Sequence, residues 1–374
     1  LRLRSRDDVE HECSGCGRST TTVHETVWRR VRDLPILGAR TTVCVPRLRV
    51  WCPHCGPKVE RLSWLEPYAR VTNRLAESVA RLCGVLPIKH VAQHFGLGWQ
   101  TVKDVHKAWL KRTVGPIDFS GVSMLVMDEF AIQKGHRYAT VVVDAQTKRV
   151  LWVARGRTRK DIRPLFEALG AENGRRIKAV AIDMNAAYEL EIRAACPNAQ
   201  IVYDLFHVVA KYGREVIDRV RVDEANRLRD DKPARKVVKS SRWLLLRNRD
   251  NIRNDEDRVR LDELLEANKT LATVYVLKDD LKRLWSYRRV GWARRFWNQW
   301  YARAMASNIA PLIKFATKLK DYLDGILAHC RWRLHTSVIE GINNKIKVIK
   351  RMAYGFRDDE YFFLRIRAAF PGNP

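Results

Sequence analysis

In residues 123–204, short apolar segments and helical segments follow one another in an order that few folds contain. Five short apolar segments bounded by polar residues predict strands at 123–127, 137–143, 150–154, 177–182 and 200–203. Helices are predicted between the last three of them, at 160–169 and 186–194. Three meandering strands followed by two helix–strand repeats predict one α/β sheet. Because crossovers between parallel strands are right-handed, we expect the fourth strand to lie beside the first.

Two of these predicted strands lead into carboxylates. Asp128 follows the first strand, in the stretch 123–130, and Asp183 follows the fourth. Ionised carboxylates are rarely buried unless they are paired or bound to a metal, so these positions indicate a site rather than core. Neighbouring carboxylates repel each other unless a divalent cation lies between them, and oxygen ligands suit Mg²⁺ or Mn²⁺. The sequence therefore predicts a divalent metal site at Asp128 and Asp183.

Other carboxylates nearby are weaker candidates for this site. Glu129 is adjacent to Asp128, so the alternation of a strand points its side chain to the opposite face of the sheet. Asp144 precedes the turn between the second and third strands, and this position favours an Asx-turn.

Glu340 is the candidate for a third carboxylate of the site. A helix is predicted over residues 337–352, with one apolar stripe formed by Ile339, Ile342, Ile346 and Ile349. Glu340 falls on the adjoining stripe with Asn344, Lys347 and Arg351, so the acid would lie beside the cationic groups of Lys347 and Arg351, which are able to hold phosphate. Spacing alone equally favours a capping box that begins at Ser337, in which Glu340 only satisfies a backbone amide.

Cysteine spacing predicts a zinc site near the beginning of the chain. Two C-x-x-C pairs, each followed by Gly, supply Cys13, Cys16, Cys52 and Cys55. Four thiolates at these spacings suit tetrahedral zinc. Two disulfides or four unrelated thiols are the alternative, but no secretion signal precedes the pairs. Period-two segments at 20–31 and 40–50 predict strands between them, and Cys44 and His54 are weaker rival ligands.

Residues 72–110 have the spacing of a helix-turn-helix motif. Helical segments at 72–86 and 87–94 are followed by a glycine-containing turn at 95–98 and a helix at 99–110. If the last helix enters a major groove, its exposed residues Gln100, Thr101, Lys103 and Lys107 would contact bases and phosphates. A plain helical hairpin is the alternative.

The charge of the chain favours a polyanionic partner. The 374 residues include 70 Lys and Arg against 42 Asp and Glu, which gives a net charge of +28. No apolar run approaches the roughly 20 residues of a membrane-spanning helix. We therefore expect nucleic acid rather than a membrane as the partner.

An all-helical insertion is predicted over residues 213–327, where no strand period is found. Its segment 287–300 interleaves basic and aromatic residues, so Arg294, Arg295 and Trp297 are candidates for contact with unpaired bases and phosphates. Trp at helical spacing is, however, more often a core residue. A later basic cluster of Lys345, Lys347, Lys350 and Arg351 either lines a DNA path or forms a solvated helix face.

Several motifs together resemble a known family. The segments VMDEFAIQKGHRYATVVVD, AVAIDMNAAY, IVYDLFHVVAK and HTSVIEGINNKIKVIKRMAYGFRD resemble bacterial insertion-sequence transposases of the DDE type, most closely the ISL-three family. The paired cysteines and the helix-turn-helix spacing match that family too, so the resemblance covers nearly the whole chain. It implies a ribonuclease H-like catalytic fold whose acidic triad falls on Asp128, Asp183 and Glu340.

The resemblance also implies an activity. A metal-activated water would cleave DNA at the transposon end, and the freed 3′-hydroxyl would attack target DNA. The pair Asp204 and His207 recurs in related eukaryotic transposases, so His207 becomes a candidate active-site residue. A helix-start cap and a core histidine are the alternative for this pair.

The resulting expectation is a DNA transposase in the bacterial cytoplasm, acting as a homodimer or larger assembly on terminal inverted repeats and target DNA. A catalytically inactive DNA-binding descendant and a structure-selective nuclease of the same fold are the alternatives. The predicted pieces are a zinc-binding β module (1–66), a helix-turn-helix domain (67–116), two parts of the α/β catalytic domain (117–212 and 328–374) and the helical insertion (213–327).

Overall fold

The computed structural model describes residues 1–4, 9–133, 135, 137–334 and 337–373. It divides the chain into two compact units. Unit 1 comprises Leu1–Pro116 and Asn344–Pro371, and unit 2 comprises Ile117–Asn343 and Gly372–Pro374. The predicted last piece of the catalytic domain, 328–374, is therefore shared between the two units.

Strands and helices follow one another in the predicted general order. The strands are β1 (His11–Glu12), β2 (Ser19–Thr20), β3 (Val23–Ile36), β4 (Ala39–Cys52), β5 (Gly56–Val59), β6 (Met124–Gln133), β7 (Arg137–Asp144), β8 (Val150–Arg155), β9 (Ala179–Ile182) and β10 (Gln200–Tyr203). The helices are α1 (Asn73–Val85), α2 (Ile88–Phe95), α3 (Trp99–Val114), α4 (Arg159–Arg176), α5 (Ala186–Ala195), α6 (Leu205–Tyr212), α7 (Asp218–Arg227), α8 (Lys232–Ser240), α9 (Arg242–Leu246), α10 (Asp255–Ala267), α11 (Lys269–Arg283), α12 (Val290–Ala306), α13 (Ala310–Lys320), α14 (Leu323–Leu327), α15 (Ser337–Met352) and α16 (Asp359–Ala369).

A long antiparallel hairpin forms the first part of unit 1. Strands β3 and β4 have 14 residues each and pair along their length, and β5 adds to the other edge of β4. The turn between β3 and β4 places both Leu37 and Gly38 at positive φ. The predicted strands at 20–31 and 40–50 are confirmed, but β3 continues to Ile36 and β4 begins at Ala39, because the paired strands continue to a two-residue turn.

Three helices follow with the predicted helix-turn-helix spacing. The Thr72 side chain accepts a hydrogen bond from the Leu75 amide and so caps the start of α1. Gly96 ends α2 with a φ of 59°, in the left-handed region that glycine tolerates. Buried apolar residues of all three helices form one cluster.

Helix α16, which sequence reasoning did not predict, completes unit 1 by packing against α3. The Nδ1 atom of buried His106 lies 2.7 Å from the Tyr361 hydroxyl, and Arg365 donates a hydrogen bond to the Cys83 carbonyl oxygen. These contacts explain why the segment after α15 groups with unit 1.

A five-stranded sheet with the order β10-β9-β6-β7-β8 forms the centre of unit 2. Strands β6, β7 and β8 are antiparallel neighbours, whereas β9 runs parallel to both β6 and β10. The predicted pairing of the first and fourth strands is confirmed. The prediction that the first strand ends before Asp128 is wrong, because pairing with β7 carries β6 on to Gln133.

Residues 213–327 contain helices and no strand, as predicted. A single π-helical turn, Gly213–Ile217, joins α6 to α7 without interrupting the helical path. Buried residues of the sheet, such as Leu125, and of the inserted helices, such as Trp300, belong to one hydrophobic cluster. The insertion therefore shares the core of the sheet. No helix in the described part of the chain is long and apolar enough to cross a membrane.

Candidate active site and DNA-binding surfaces

Asp128 lies in the middle of β6, where that strand loses its parallel neighbour. The pairing of β6 with β9 ends at Val126 and Ala181, while the pairing with β7 continues through Asp128. One carboxylate oxygen of Asp128, Oδ1, accepts the Glu129 backbone N–H at 2.8 Å. The other, Oδ2, accepts the side-chain amide of Asn343 at 2.7 Å. Both oxygens are thus oriented by neutral donors.

Asp183 follows directly after β9 and is paired with a histidine. Its Oδ1 accepts the Met184 backbone N–H at 2.6 Å. Its Oδ2 lies 3.4 Å from Nδ1 of His207, which is in the first turn of α6. The predicted proximity of His207 to the acidic site is therefore present in the structure.

The pKa values of these three groups reflect mutual coupling. Burial raises the pKa of Asp128, and the charge of Asp183 raises it further. Burial also acts to raise the pKa of Asp183, but the hydrogen bond and charge of His207 outweigh it and lower the pKa. Burial opposes the charge on His207, yet the carboxylates of Asp183, Asp128 and Asp204 raise its pKa. The carboxylates and His207 therefore stabilise each other's charges against the effect of burial.

Asp204 does not act as the side-chain cap that was the alternative interpretation. It occupies the N-cap position of α6 without a side-chain capping hydrogen bond. Its Oδ2 is buried and has no hydrogen-bond partner among the described residues. His207 is half-buried rather than a core residue.

Glu340 lies at the start of α15, one helical turn before Asn343. Residues three apart on a helix are neighbours on its surface, so Glu340 and Asn343 lie on the same side of α15. The Glu340 side chain is exposed, and the predicted apolar stripe of α15 is buried. The alternative capping box depends on the Ser337 side chain, which lies outside the described part of the structure.

Asp144 behaves as the sequence predicted, whereas Glu129, which was expected to point away from the site, lies beside Asn185 and in the same groove as Asp183. Asp144 accepts hydrogen bonds from the Gln146 backbone N–H at 3.0 Å and the Thr147 hydroxyl at 2.6 Å, so it forms the expected Asx-turn. Glu129 accepts hydrogen bonds from the side chains of Asn185 at 2.9 Å and Arg157 at 3.1 Å.

Glu129 also lines a groove of about 790 Å³ that reaches Asp183. The cationic side chains of Arg157, Arg159 and Lys160 line the same groove. Sequence reasoning missed this groove, because its residues come from three separate segments and carry no shared motif.

The candidate acids do not form a cluster of three or more metal ligands among the described residues. In the described part of the chain, only the four cysteines form a group of three or more potential ligands whose donor atoms all lie within 4.8 Å of one another. The chemistry nevertheless fits a divalent cation. The acids offer hard carboxylate oxygens, and Oδ1 of Asn343 and Oδ2 of Asp204 are buried acceptors without partners among the described residues.

The four predicted zinc ligands come together in unit 1. Their donor atoms all lie within 4.8 Å of one another, and the Sγ atoms of Cys16 and Cys52 are 3.5 Å apart. Gly17 and Gly56, which follow the pairs, both have positive φ, as tight knuckle turns require. The rival ligands Cys44 and His54 are not part of this group.

Backbone geometry prepares one of these thiols for zinc. The amides of Cys55 and His54 donate to the Cys52 sulfur and lower the pKa of Cys52 to about 7. The side-chain hydrogen bond with Cys16 raises the pKa of Cys55, and burial and repulsion between the two neighbouring thiolates raise it further. A zinc ion removes that repulsion, so the cluster supports a structural zinc site.

The predicted DNA-contacting residues of α3 differ in their exposure and in their ion pairs. Gln100 is exposed and donates a hydrogen bond to Asp104, and Thr101 is half-exposed. The prediction that Lys103 and Lys107 are exposed is wrong. Their ammonium groups lie 2.9 Å and 3.0 Å from Oδ2 of Asp358 at the start of α16, which sequence reasoning did not place there.

The basic and aromatic residues of α12 also differ in exposure. Arg294 and Arg295 are exposed, and Arg294 forms an ion pair with Asp324 at 3.0 Å. Trp297 is only 2% exposed and packs with its ring centroid 5.3 Å from that of Trp300. Its proposed role in base stacking is corrected, because helical periodicity turns it into the core.

The basic cluster of α15 is largely accessible. Lys345, Lys347 and Arg351 are exposed, and Lys350 is half-buried. Lys347 hydrogen-bonds the neutral Asn344 side chain at 3.1 Å. Sequence reasoning missed Asn343 on the same helix, although its position three residues after Glu340 was a usable signal.

Comparisons with known proteins match three segments of the chain to transposase domains. A family model described as a transposase (DDE, ISL3) matches residues 125–366. A helix-turn-helix domain of transposase family ISL3 matches residues 60–109, and a zinc-finger of transposase IS204/IS1001/IS1096/IS1165 matches residues 10–55.

Two curated relatives cover most of the chain. The transposase for insertion sequence element IS1001 of Bordetella parapertussis is 61% identical over 362 residues, which is 96% of this chain and 89% of the relative. The transposase for insertion sequence element IS1557 of Mycobacterium tuberculosis is 26% identical over 382 residues, covering 96% of this chain and 85% of the relative.

Proposed function

Because this chain belongs to the ISL3 family of DNA transposases, we propose that it binds the terminal inverted repeats of an insertion sequence, cleaves DNA there and joins the ends to target DNA. The observation that carries this proposal is that Asp183, from the end of β9, and Asn343, from α15, both act on Asp128. Burial raises the pKa of Asp128, the charge of Asp183 at the end of β9 raises it further, and Asn343 on α15 donates a hydrogen bond to it. Asp128, Asp183 and Glu340 are the proposed catalytic acids.

We assign the sheet to the ribonuclease H-like class. Its order β10-β9-β6-β7-β8, with three antiparallel and two parallel strands, supports this assignment. The inserted helices lie between β10 and α15 in the chain, which separates Glu340 from the two aspartates in sequence.

Asp128 and Asp183 would hold a divalent cation, Mg²⁺ or Mn²⁺, and Glu340 would supply a further oxygen ligand. Such ions polarise the phosphate, lower the pKa of an attacking water and stabilise the leaving oxygen during phosphoryl transfer. The backbone amides of Glu129 and Met184 orient the two aspartates before the substrate arrives. His207 positions Asp183 through its Nδ1 atom and adds positive charge near the phosphate.

DNA contacts are proposed at several surfaces. Gln100 and Thr101 of the helix-turn-helix would reach base edges, while the zinc-binding module supports end recognition. Exposed basic residues of α12 (Arg294 and Arg295) and α15 (Lys345, Lys347, Lys350 and Arg351) would contact phosphates. Pairing two transposon ends requires at least a dimer, and we propose that the assembly acts on DNA in the bacterial cytoplasm.

A strand-transfer assay with cognate ends and Mg²⁺ tests the catalytic proposal. We expect Asp128→Ala and Asp183→Asn to abolish cleavage, a loss of at least about a thousandfold, because each removes a ligand oxygen of the cation. End binding, measured by fluorescence anisotropy, is expected to remain. Glu172→Gln, which changes an exposed carboxylate on α4, is the matched control and should keep full activity.

Retained cleavage in either aspartate variant would refute the proposed acids. With the unchanged chain, joining of ends to target DNA supports the transposase. Cleavage without joining would favour a structure-selective nuclease, and binding without cleavage would favour a non-catalytic DNA-binding protein.

A further inference from the structure

Asn343 contacts Asp128, and the proposed catalytic roles do not say what this contact does. Its Nδ2 donates to Oδ2 of Asp128 at 2.7 Å, although the two residues are 215 positions apart. Its own Oδ1 is buried and has no hydrogen-bond partner among the described residues. The amide nitrogen therefore bonds the acid, while the amide oxygen accepts no hydrogen bond from the described residues.

The orientation of this amide follows from the carboxylate. If the amide were flipped, its oxygen would face Oδ2 of Asp128, and two acceptors would be in contact without a proton between them. The donor therefore faces the acid, and the acceptor faces away from it.

The Asp128 carboxylate is held at both oxygens. The Glu129 backbone N–H holds Oδ1 and Asn343 holds Oδ2, which fixes the plane of the carboxylate. Each carboxylate oxygen can accept more than one hydrogen bond, so both keep capacity for a cation. A neutral donor suits this task, because Lys or Arg at position 343 would bring a positive charge that competes with a metal ion.

We propose that Asn343 is a positioning residue of the active site, which orients Asp128 for the divalent cation and offers its buried oxygen to a water molecule of the hydrated ion. This inference rests on the proposed function and adds a residue to it. A buried acceptor without a protein partner is ordinarily satisfied by ordered water, which agrees with the second part of this role.

The adjacent asparagine provides a matched control. Asn344 has the same side chain and the next position on the same helix, but it is exposed and accepts a hydrogen bond from Lys347. Asn343→Ala and Asn344→Ala therefore remove the same group from two environments. Asn343→Leu keeps the approximate volume of the side chain and separates hydrogen bonding from packing.

The test measures metal dependence with the full chain. We expect Asn343→Ala and Asn343→Leu to raise the Mg²⁺ concentration needed for half-maximal cleavage by about tenfold or more, the effect of losing a hydrogen bond to a charged group. Mn²⁺ binding measured by calorimetry without DNA should weaken by a similar factor. High Mg²⁺ should recover most of the cleavage rate, and Asn344→Ala should match the unchanged chain.

The outcomes are distinct. If both Asn343 variants bind Mn²⁺ and saturate with Mg²⁺ as the unchanged chain does, the positioning role is refuted. A lower rate at every Mg²⁺ concentration with unchanged Mn²⁺ binding would also refute it, because that result indicates a structural role. Asp128→Ala serves as the reference: if this variant still cleaves, the proposed function itself fails, whatever Asn343 does.

Discussion

Asp33 of unit 1 and Asp128 of unit 2 are both largely removed from solvent, but their pKa values shift in opposite directions. In unit 1, Asp33 is 3% exposed, and Arg74 and Thr72 donate hydrogen bonds that lower its pKa to about 2. In unit 2, burial raises the pKa of Asp128, whose hydrogen bonds come from neutral amides. The Arg74 cation neutralises Asp33, whereas the hydrogen bonds to Asp128 come from neutral donors and leave its charge available to an external cation. This difference supports Asp128 as a metal ligand.

Asp33 provides a prediction about pH and stability. Its pKa is about 2 in the folded chain against an ordinary value of 3.8. The folded state therefore binds fewer protons than the unfolded state between these values. The stabilisation is present above about pH 4 and is lost as the pH falls towards 2. We expect Asp33→Asn to lower the free energy of unfolding by roughly 1–3 kcal/mol at pH 7, measured by urea unfolding.

The difference between the unchanged chain and Asp33→Asn should shrink as the pH is lowered from 4 towards 3. Glu77→Gln is the control, because Glu77 forms an exposed i,i+4 pair with Arg81 on the neighbouring helix. That change should cost less than about 0.5 kcal/mol. A pH-independent effect of Asp33→Asn would contradict the ion-pair explanation.

At the scale of helices and strands, the sequence predicted features that depend on nearby residues better than features that depend on contacts between residues far apart in the chain. The period of two along β3 and β4, the stripe of isoleucines on α15 and the cysteine spacing each lie within a few turns or strands, so the sequence predicted them. The length of β6 depends on its partner β7, and the ion pairs of α3 depend on Asp358 of α16. The contact between Asp128 and Asn343 joins residues 215 positions apart. No local pattern specifies such contacts.

The zinc-binding module provides a prediction at this scale. The four clustered thiols should hold about one zinc ion per chain, as tetrahedral sites do. We expect Cys16→Ser to reduce the zinc content to near zero after dialysis, measured by mass spectrometry of the metal, and to lower the melting temperature. Cys44→Ser is the matched control, because Cys44 lies on β4 outside the cluster.

Zinc retained by the Cys16→Ser variant at the level of the unchanged chain would contradict four-sulfur coordination. Loss of zinc from the Cys44→Ser variant would show that the ligand set differs from the cluster.

At the scale of the whole molecule, a net charge of +28 favours DNA, but not every cation is equally available. Lys103 and Lys107 lie within 3.0 Å of Asp358, and Glu360 approaches Lys107 at 2.7 Å. Lys347 instead contacts a neutral amide, and Arg351 is exposed. The charge that binds phosphate therefore depends on which cations are paired with carboxylates within the chain.

The salt dependence of end binding measures this difference. Each phosphate contact contributes about 0.9 to the slope of log affinity against log salt concentration, because bound DNA releases counterions. We expect Lys347→Ala combined with Arg351→Ala to reduce the slope by about 2. Lys103→Ala combined with Lys107→Ala removes the same formal charge from paired positions and should leave the slope nearly unchanged. Equal reductions would show that DNA displaces Asp358 from the two α3 lysines, so that α3 contacts phosphate despite its pairing with α16.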